Sequence, residues 1–228
     1  MRLNKYIASC GICSRRKADE LILEGRIKID HKLITDLGAK VDPLINIVEI
    51  DGKTLIPEEK IYIAFNKPKG VLSTNKDTHD RKIINDYLPF KTRLFSIGRL
   101  DKDSEGLILL TNDGEFAQKI SHPGNRKEKE YIIEIRGEIN DLILKKIAEG
   151  GTFLDIITKP AKIKILNQNK NTAKVSMIIK EGQKRQIRKI FKHFSLPVVS
   201  LKRIRIGKIK LENLKKGSYK IINPNEVL

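Results

Sequence analysis

The stretch Ile97–Gly114, IGRLDKDSEGLILLTNDG, decides how this chain is read. It sets a carboxylate, Asp101, directly after an Arg-Leu pair. A small-residue turn follows through Asp103, Ser104 and Gly106, then an apolar run ending in Thr111-Asn112-Asp113-Gly114. A carboxylate beside an arginine, with apolar segments on both sides, is the setting a buried and electrostatically tuned nucleophile needs. Asp103 and Glu105 stand close by, which raises the rival reading of a two-carboxylate glycosidase. That chemistry needs two carboxyls opposed across a cleft, and neighbours in one tight turn do not face each other so. Asp103 is therefore read as a turn residue.

The bulk of the sequence points to a polyanionic partner. The chain has 228 residues and a formal net charge of +18. Between Lys180 and Lys216 there are 13 Lys and Arg against 2 Asp and Glu, so +11 of that charge sits in one segment. A solvated face would mix signs, whereas a phosphate-binding groove would not. No apolar run approaches bilayer length and no signal-peptide core follows Met1, so the expectation is a cytoplasmic protein without a membrane partner. Cys10 and Cys13 form a lone C-x-x-C without further ligands, read as two small thiols rather than a zinc or redox site.

Residues 1–57 read as a small module. A short helix begins at Arg2 and is broken by Gly11. Ser14 caps a second helix, Arg15 to Glu24, with Ala18, Leu21 and Ile22 on one face and Gly25 at its end. Short strands follow at 26–30, 32–35 and 47–50, with Asp51-Gly52 as a hairpin turn. Pro57–Lys60 is a polar linker. Residues 61–228 alternate strands with short helices, without regular βαβ repeats. Strands are expected at 61–65, 93–97, 107–110, 131–136, 161–166, 172–179, 198–206 and 218–222, with helices at 114–121, 140–149 and 186–193. Leu142, Leu144, Ile147 and Ala148 are offered to the core. The fold class is α+β, a helix-helix-sheet module followed by a mixed, largely antiparallel sheet with flanking helices.

Four segments in order carry a resemblance: Asn66-Lys67-Pro68-Lys69-Gly70 with Ser73-Thr74, then Arg93–Gly114, then Lys129-Glu130-Tyr131, then EGQKRQIRKIF from Glu181 with LKRIRIG from Leu201. Together they resemble the RNA pseudouridine synthases, in the branch typified by RsuA, RluB, RluE and RluF. The order of elements in residues 1–57, with SRRKADELILEGRIKI, resembles the S4 RNA-binding domain. The resemblance implies isomerisation of a uridine in ribosomal RNA, free or in a ribosome-assembly intermediate, with no cofactor and no metal. It implies Asp101 as the catalytic carboxylate, acting at C1′, at C6 or as a proton shuttle. Arg188 would pair with Asp101, Tyr131 would lie against the uracil, and Arg99 would enter the space left by the flipped nucleotide. Arg2, Lys5, Arg15, Arg16, Lys17 and Arg26 would meet RNA from the first module. Lys67, Lys184, Arg185, Lys202, Arg203 and Arg205 would contact the RNA backbone.

Three functions stand against one another: an rRNA pseudouridine synthase, a non-catalytic ribosome-assembly protein, and a glycoside or nucleoside hydrolase. Asp101, Tyr131 and Arg188 together oppose the second, and the first module with the basic segment opposes the third. Arg185-Gln186-Ile187-Arg188 leans toward large-subunit 23S rRNA over 16S rRNA. A monomer is the default.

Overall fold

Ser14 ends an extended segment, and its hydroxyl accepts the Lys17 backbone N–H at 3.2 Å, which starts a helix at the next residue. In the computed structural model, which describes residues 1–75, 77–122, 124 and 127–227, this is α2 (Arg15–Leu23), preceded by α1 (Leu3–Ser9). Past α2, Gly25 takes φ 69°, a left-handed conformation suited to a residue without Cβ. Two hairpins follow, β1 (Ile27–Ile29) with β2 (Lys32–Ile34) and β3 (Val48–Ile50) with β4 (Lys53–Thr54). Both turns carry two positive φ values, at Asp30-His31 and at Asp51-Gly52, as a two-residue hairpin of this twist requires. The sheet runs β2-β1-β3-β4 and closes on Leu3, Ile7, Ala18, Ile22 and Ile27 from the helices and first strand. Cys10 is buried in this core, and burial pushes its thiol up to about 11, which keeps it neutral and unreactive.

The chain divides into two units, the first being Met1–Lys60 with Phe90–Arg93 and Asn112–Gly114. In chain order the second holds β5 (Tyr62–Lys67), β6 (Phe95–Ile97), β7 (Glu105–Thr111), α3 (Gly114–Ser121), β8 (Lys129–Arg136) and α4 (Asp141–Glu149). Then come β9 (Gly151–Phe153), β10 (Ile156–Thr158), β11 (Lys162–Gln168), β12 (Thr172–Ile179), α5 (Gln186–His193), β13 (Val198–Ile206), β14 (Ile209–Lys210) and β15 (Tyr219–Ile221). A nine-stranded sheet runs β11-β12-β8-β13-β7-β5-β15, with β14 on β13 and β6 on β7. All its pairings are antiparallel except β13 with β7, so the sheet is mixed and largely antiparallel, as expected.

Strand β7 is the hinge of this topology. One edge pairs with β5 along its length, while the other changes partner. Glu105 and Gly106 pair with β13, and Leu109–Thr111 pair with β6. Buried between neighbours on both sides, the run Leu107–Leu110 reads as continuous apolar sequence rather than alternation.

One expectation fails here. Leu142, offered to the core, is 62% exposed; on a helix it lies about 140° round from Ile147, the buried residue of α4. The hairpin β9–β10 carries little sequence signal, because its strands are only three residues long and its turn uses Leu154 at φ 54° instead of glycine. No helix among the described residues is long and apolar enough to cross a membrane.

Gly106 has φ 103°, and a Cβ there would lie 2.3 Å from the Arg203 carbonyl oxygen. Gly106→Ala is therefore expected to destabilise by more than about 3 kcal/mol in urea unfolding. A loss under about 1 kcal/mol would show that the two strands can part without consequence.

Candidate active site

The register of the sheet builds the site. Lys67 on β5 pairs with Gly106 on β7, Gly106 with Arg203 on β13, and Arg203 with Tyr131 on β8. One row across four strands thus carries two cations, a tyrosine and the glycine that lets them close up. Arg203 is 3% exposed; its Nε donates to the Leu107 carbonyl at 2.6 Å and its Nη1 to the Tyr131 hydroxyl at 3.4 Å. Its guanidinium carbon stands 5.9 Å from the Tyr131 ring centre, within cation–π range.

Asp101 lies in the turn that feeds β7. The Ser104 N–H donates to the Asp101 carbonyl at 3.0 Å and closes that turn. Segment 70–73 pins it from outside: Gly70 N–H donates to Lys102 O at 2.7 Å, and Ser73 Oγ donates to Leu100 O at 2.8 Å. Asp101 and Tyr131 are both on the wall of an open cavity of about 390 Å³, with Arg99, Arg185, Arg188 and Arg203. That volume falls in the range of small-molecule sites. Ser104 Oγ and Arg203 Nη2, on the same wall, are buried without a hydrogen-bond partner among the described residues.

Several expectations need correcting. Asp101 is not buried; its side chain is 39% exposed. Arg188 does not pair with it. Its Nη2 meets Asp103 Oδ2 at 3.2 Å and donates to the Asp103 carbonyl at 3.1 Å, while Nη1 donates to Val198 O at 3.1 Å. Asp103, read as a plain turn residue, is thus the carboxylate that holds Arg188. The cation near Asp101 is Arg185, whose Nη1 lies 3.9 Å from Oδ2. Burial raises the Asp103 carboxyl, but Arg188 and Arg185 outweigh it and hold the group below the usual carboxylate range.

Three residues assigned to the RNA backbone are turned inward. Lys67 is fully buried, its Nζ donating to Pro68 O at 2.9 Å and Val71 O at 2.7 Å. Arg203 is buried against Tyr131. Arg205 is tied to Glu130 at 2.9 Å and Glu128 at 3.3 Å. A bulge between Arg203 and Arg205 resets the register, which brings Arg205 opposite Glu130. Lys184 and Arg99 are exposed on the cavity wall, and Lys202 is half-buried. In the first unit Arg2, Arg15 and Arg16 are exposed and Lys5 is half-buried. Lys17 pairs with Glu20 at 2.8 Å, and Arg26 with Asp51, its Nε bond measuring 3.0 Å.

A model of the RNA pseudouridylate synthase family matches residues 61–193, the segment that contains Asp101, Tyr131 and Arg188. The chain belongs to that family. A model of the S4 domain matches residues 1–43 of this pseudouridine synthase. Ribosomal large subunit pseudouridine synthase B of Bacillus subtilis is 39% identical over 229 residues, covering 99% of this chain and 93% of that protein. An uncharacterized RNA pseudouridine synthase of Rickettsia felis is 40% identical and covers 100% and 98%. A crystal structure of a pseudouridylate synthase aligns with TM-score 0.71 at 29% identity, over 100% of this chain and 98% of that one.

Burial pulls Lys67 down from 10.5 to about 8, against the opposing pull of Asp101, Asp103 and Glu105. Between those values the unfolded chain holds the proton more firmly than the folded one. Stability therefore rises with pH across that window, by up to about 3 kcal/mol. Urea unfolding from pH 7.5 to 10.5 (on the order of the window above) should show this rise in the wild type and not in Lys67→Met. Parallel curves would remove the buried-lysine assignment.

Proposed function

We propose that this enzyme isomerises a uridine of large-subunit ribosomal RNA to pseudouridine, with Asp101 as its catalytic carboxylate. It acts in the cytoplasm as a monomer, on free rRNA or an assembly intermediate, without metal or cofactor. Residues 1–57 anchor the RNA and residues 61–228 carry out the chemistry. The observation that carries this reading is the shared cavity, where a carboxylate and a tyrosine ring stand on one wall within a family of RNA isomerases. The Bacillus subtilis relative, named for the large ribosomal subunit, supports the choice of RNA.

The reaction breaks N1–C1′ and forms C5–C1′. The proton lost from C5 is matched by one gained at N1, so no external oxidant or co-substrate enters. Asp101 is exposed on the cavity side, where it can bond to carbon or move a proton. Tyr131, braced by Arg203, offers its ring to a flipped base. Arg99, exposed at the rim, fills the gap left by the flipped nucleotide. In the first unit, Arg15 and Arg16 make no ion pair among the described residues and oppose the dipole of α2, so a phosphate is their natural partner.

Incubation with unmodified 23S and 16S rRNA, followed by carbodiimide primer extension, should reveal one new pseudouridine in the 23S arm. Asp101→Asn should lower the rate by at least about 10²-fold. Equal activity in that variant, or modification confined to 16S rRNA, would overturn the corresponding part of the proposal. Arg15→Glu with Arg16→Glu should weaken RNA binding and reduce the slope of log K against log salt by about 1 to 2. An unchanged slope would exclude both arginines from the RNA contact.

A further inference from the structure

Two arginines of the RQIR segment converge on the turn that carries Asp101, and both are held by Asp103. Their supports differ. Arg188 has two backbone acceptors of its own, Asp103 O and Val198 O, and would keep them without the Asp103 carboxylate. Arg185 has none among the described residues. Its Nη1 and Nη2 reach the two Asp103 carboxylate oxygens at 3.4 Å each, in a two-pronged grip, and Nη1 then stands 3.9 Å from Asp101 Oδ2.

The backbone under Arg185 is fixed independently of that grip. Arg185 is in the left-handed conformation, φ 54° and ψ 27°, at the N-terminal cap of α5. For a side chain with a Cβ this costs about 1 kcal/mol or more, and such strain persists where neighbours enforce it. The neighbours are buried Gln186, which donates to Glu181 Oε1 at 2.6 Å and accepts from Gln183 N at 2.9 Å. Gln183 Nε2 in turn donates to Ile157 O at 2.6 Å, and Lys159 N to Glu181 Oε1 at 2.9 Å, so the β9–β10 hairpin braces the loop. The frame points the Arg185 side chain at the turn, and among the described residues Asp103 is the one that accepts hydrogen bonds from its guanidinium.

We propose that Asp103 is a positioning residue for the isomerisation: it holds the Arg185 guanidinium at the distance from which Arg185 orients the Asp101 carboxylate. The proposal rests on Asp101 being the catalytic group. Without Asp103, Arg185 is free to close on Asp101 and cover its lone pairs, or to swing toward RNA phosphate and leave Asp101 undirected. Either displacement misplaces the reacting oxygen without removing it.

Single-turnover and steady-state kinetics on the 23S target test this. Asp103→Asn should lower kcat about 10- to 100-fold, the scale of a small misplacement at a reacting centre, with KM within about twofold. Asp103→Glu should recover most of that loss. Arg185→Lys, which keeps the charge but loses the two-pronged grip, should reproduce it. In an Arg185→Gln background, Asp103→Asn should change kcat by less than about twofold, because the residue it acts through is gone. A plain surface charge beside a polyanion predicts the opposite pattern, tighter RNA binding with kcat unchanged; that result would overturn the proposal, as would losses that simply multiply. Wild-type inactivity on every RNA would instead refute the function proposed above. The positioning claim then stands or falls on arginine side-chain NMR of the free protein. Restricted Arg185 guanidinium rotation that becomes fast in Asp103→Asn supports it, and fast rotation in both refutes it.

Discussion

Everything in the second unit depends on how closely β7 approaches β13 at Gly106. The Arg203 carbonyl occupies the place any Cβ at 106 would need. That contact joins the antiparallel strands β7, β5, β15 and β6 to the antiparallel set β13, β8, β12, β11 and β14 through the sheet's only parallel pairing among the described strands. It brings Arg203 and Tyr131 into one row with Lys67, and it anchors the start of β7 only five residues beyond Asp101. A looser junction would still permit a sheet. It would not hold a carboxylate and a tyrosine on the wall of one cavity.

The second organising feature is how charge is kept near the site. Lys67 and Arg203 are buried without a carboxylate partner: Lys67 donates to two backbone carbonyls, and Arg203 to one carbonyl and the Tyr131 hydroxyl. Asp103 absorbs Arg188 and most of Arg185. Asp101 is therefore left without a tight ion pair, half-exposed toward the cavity. A carboxylate locked in a bidentate pair would have its lone pairs occupied, so the arrangement keeps a carboxylate oxygen available to a ligand while positive charge remains nearby.

Much of this was legible in the sequence where signals are local. The Ser14 cap, the Asp51-Gly52 turn and the bounds of α3, β12, α5 and β13 follow from capping, turn chemistry and periodicity. The Ile97–Gly114 stretch also lies inside the segment that the family model matches. What escaped was set by register. Lys67 and Arg203 read as phosphate contacts because basic residues are usually solvated, yet the two-residue period from Ile63 through Phe65 already placed Lys67 with buried neighbours. No such signal exists for Arg205, whose partner depends on a bulge invisible in one strand's sequence. The exchange of Arg188 from Asp101 to Asp103 is a matter of two residues in a tight turn, decided by which carbonyls face α5. Sequence spacing does not encode that.

On the proposed function, the cavity lined by Asp101 and Tyr131 receives the uracil. A crystal structure of Asp101→Asn bound to an RNA fragment carrying the target uridine tests it most directly. The expected structure has the uridine flipped out of its stack, its base against the Tyr131 ring, and residue 101 about 3 to 3.5 Å from C1′ or C6. A bound RNA whose uridine stays stacked, or whose flipped base lodges away from Tyr131, would contradict it.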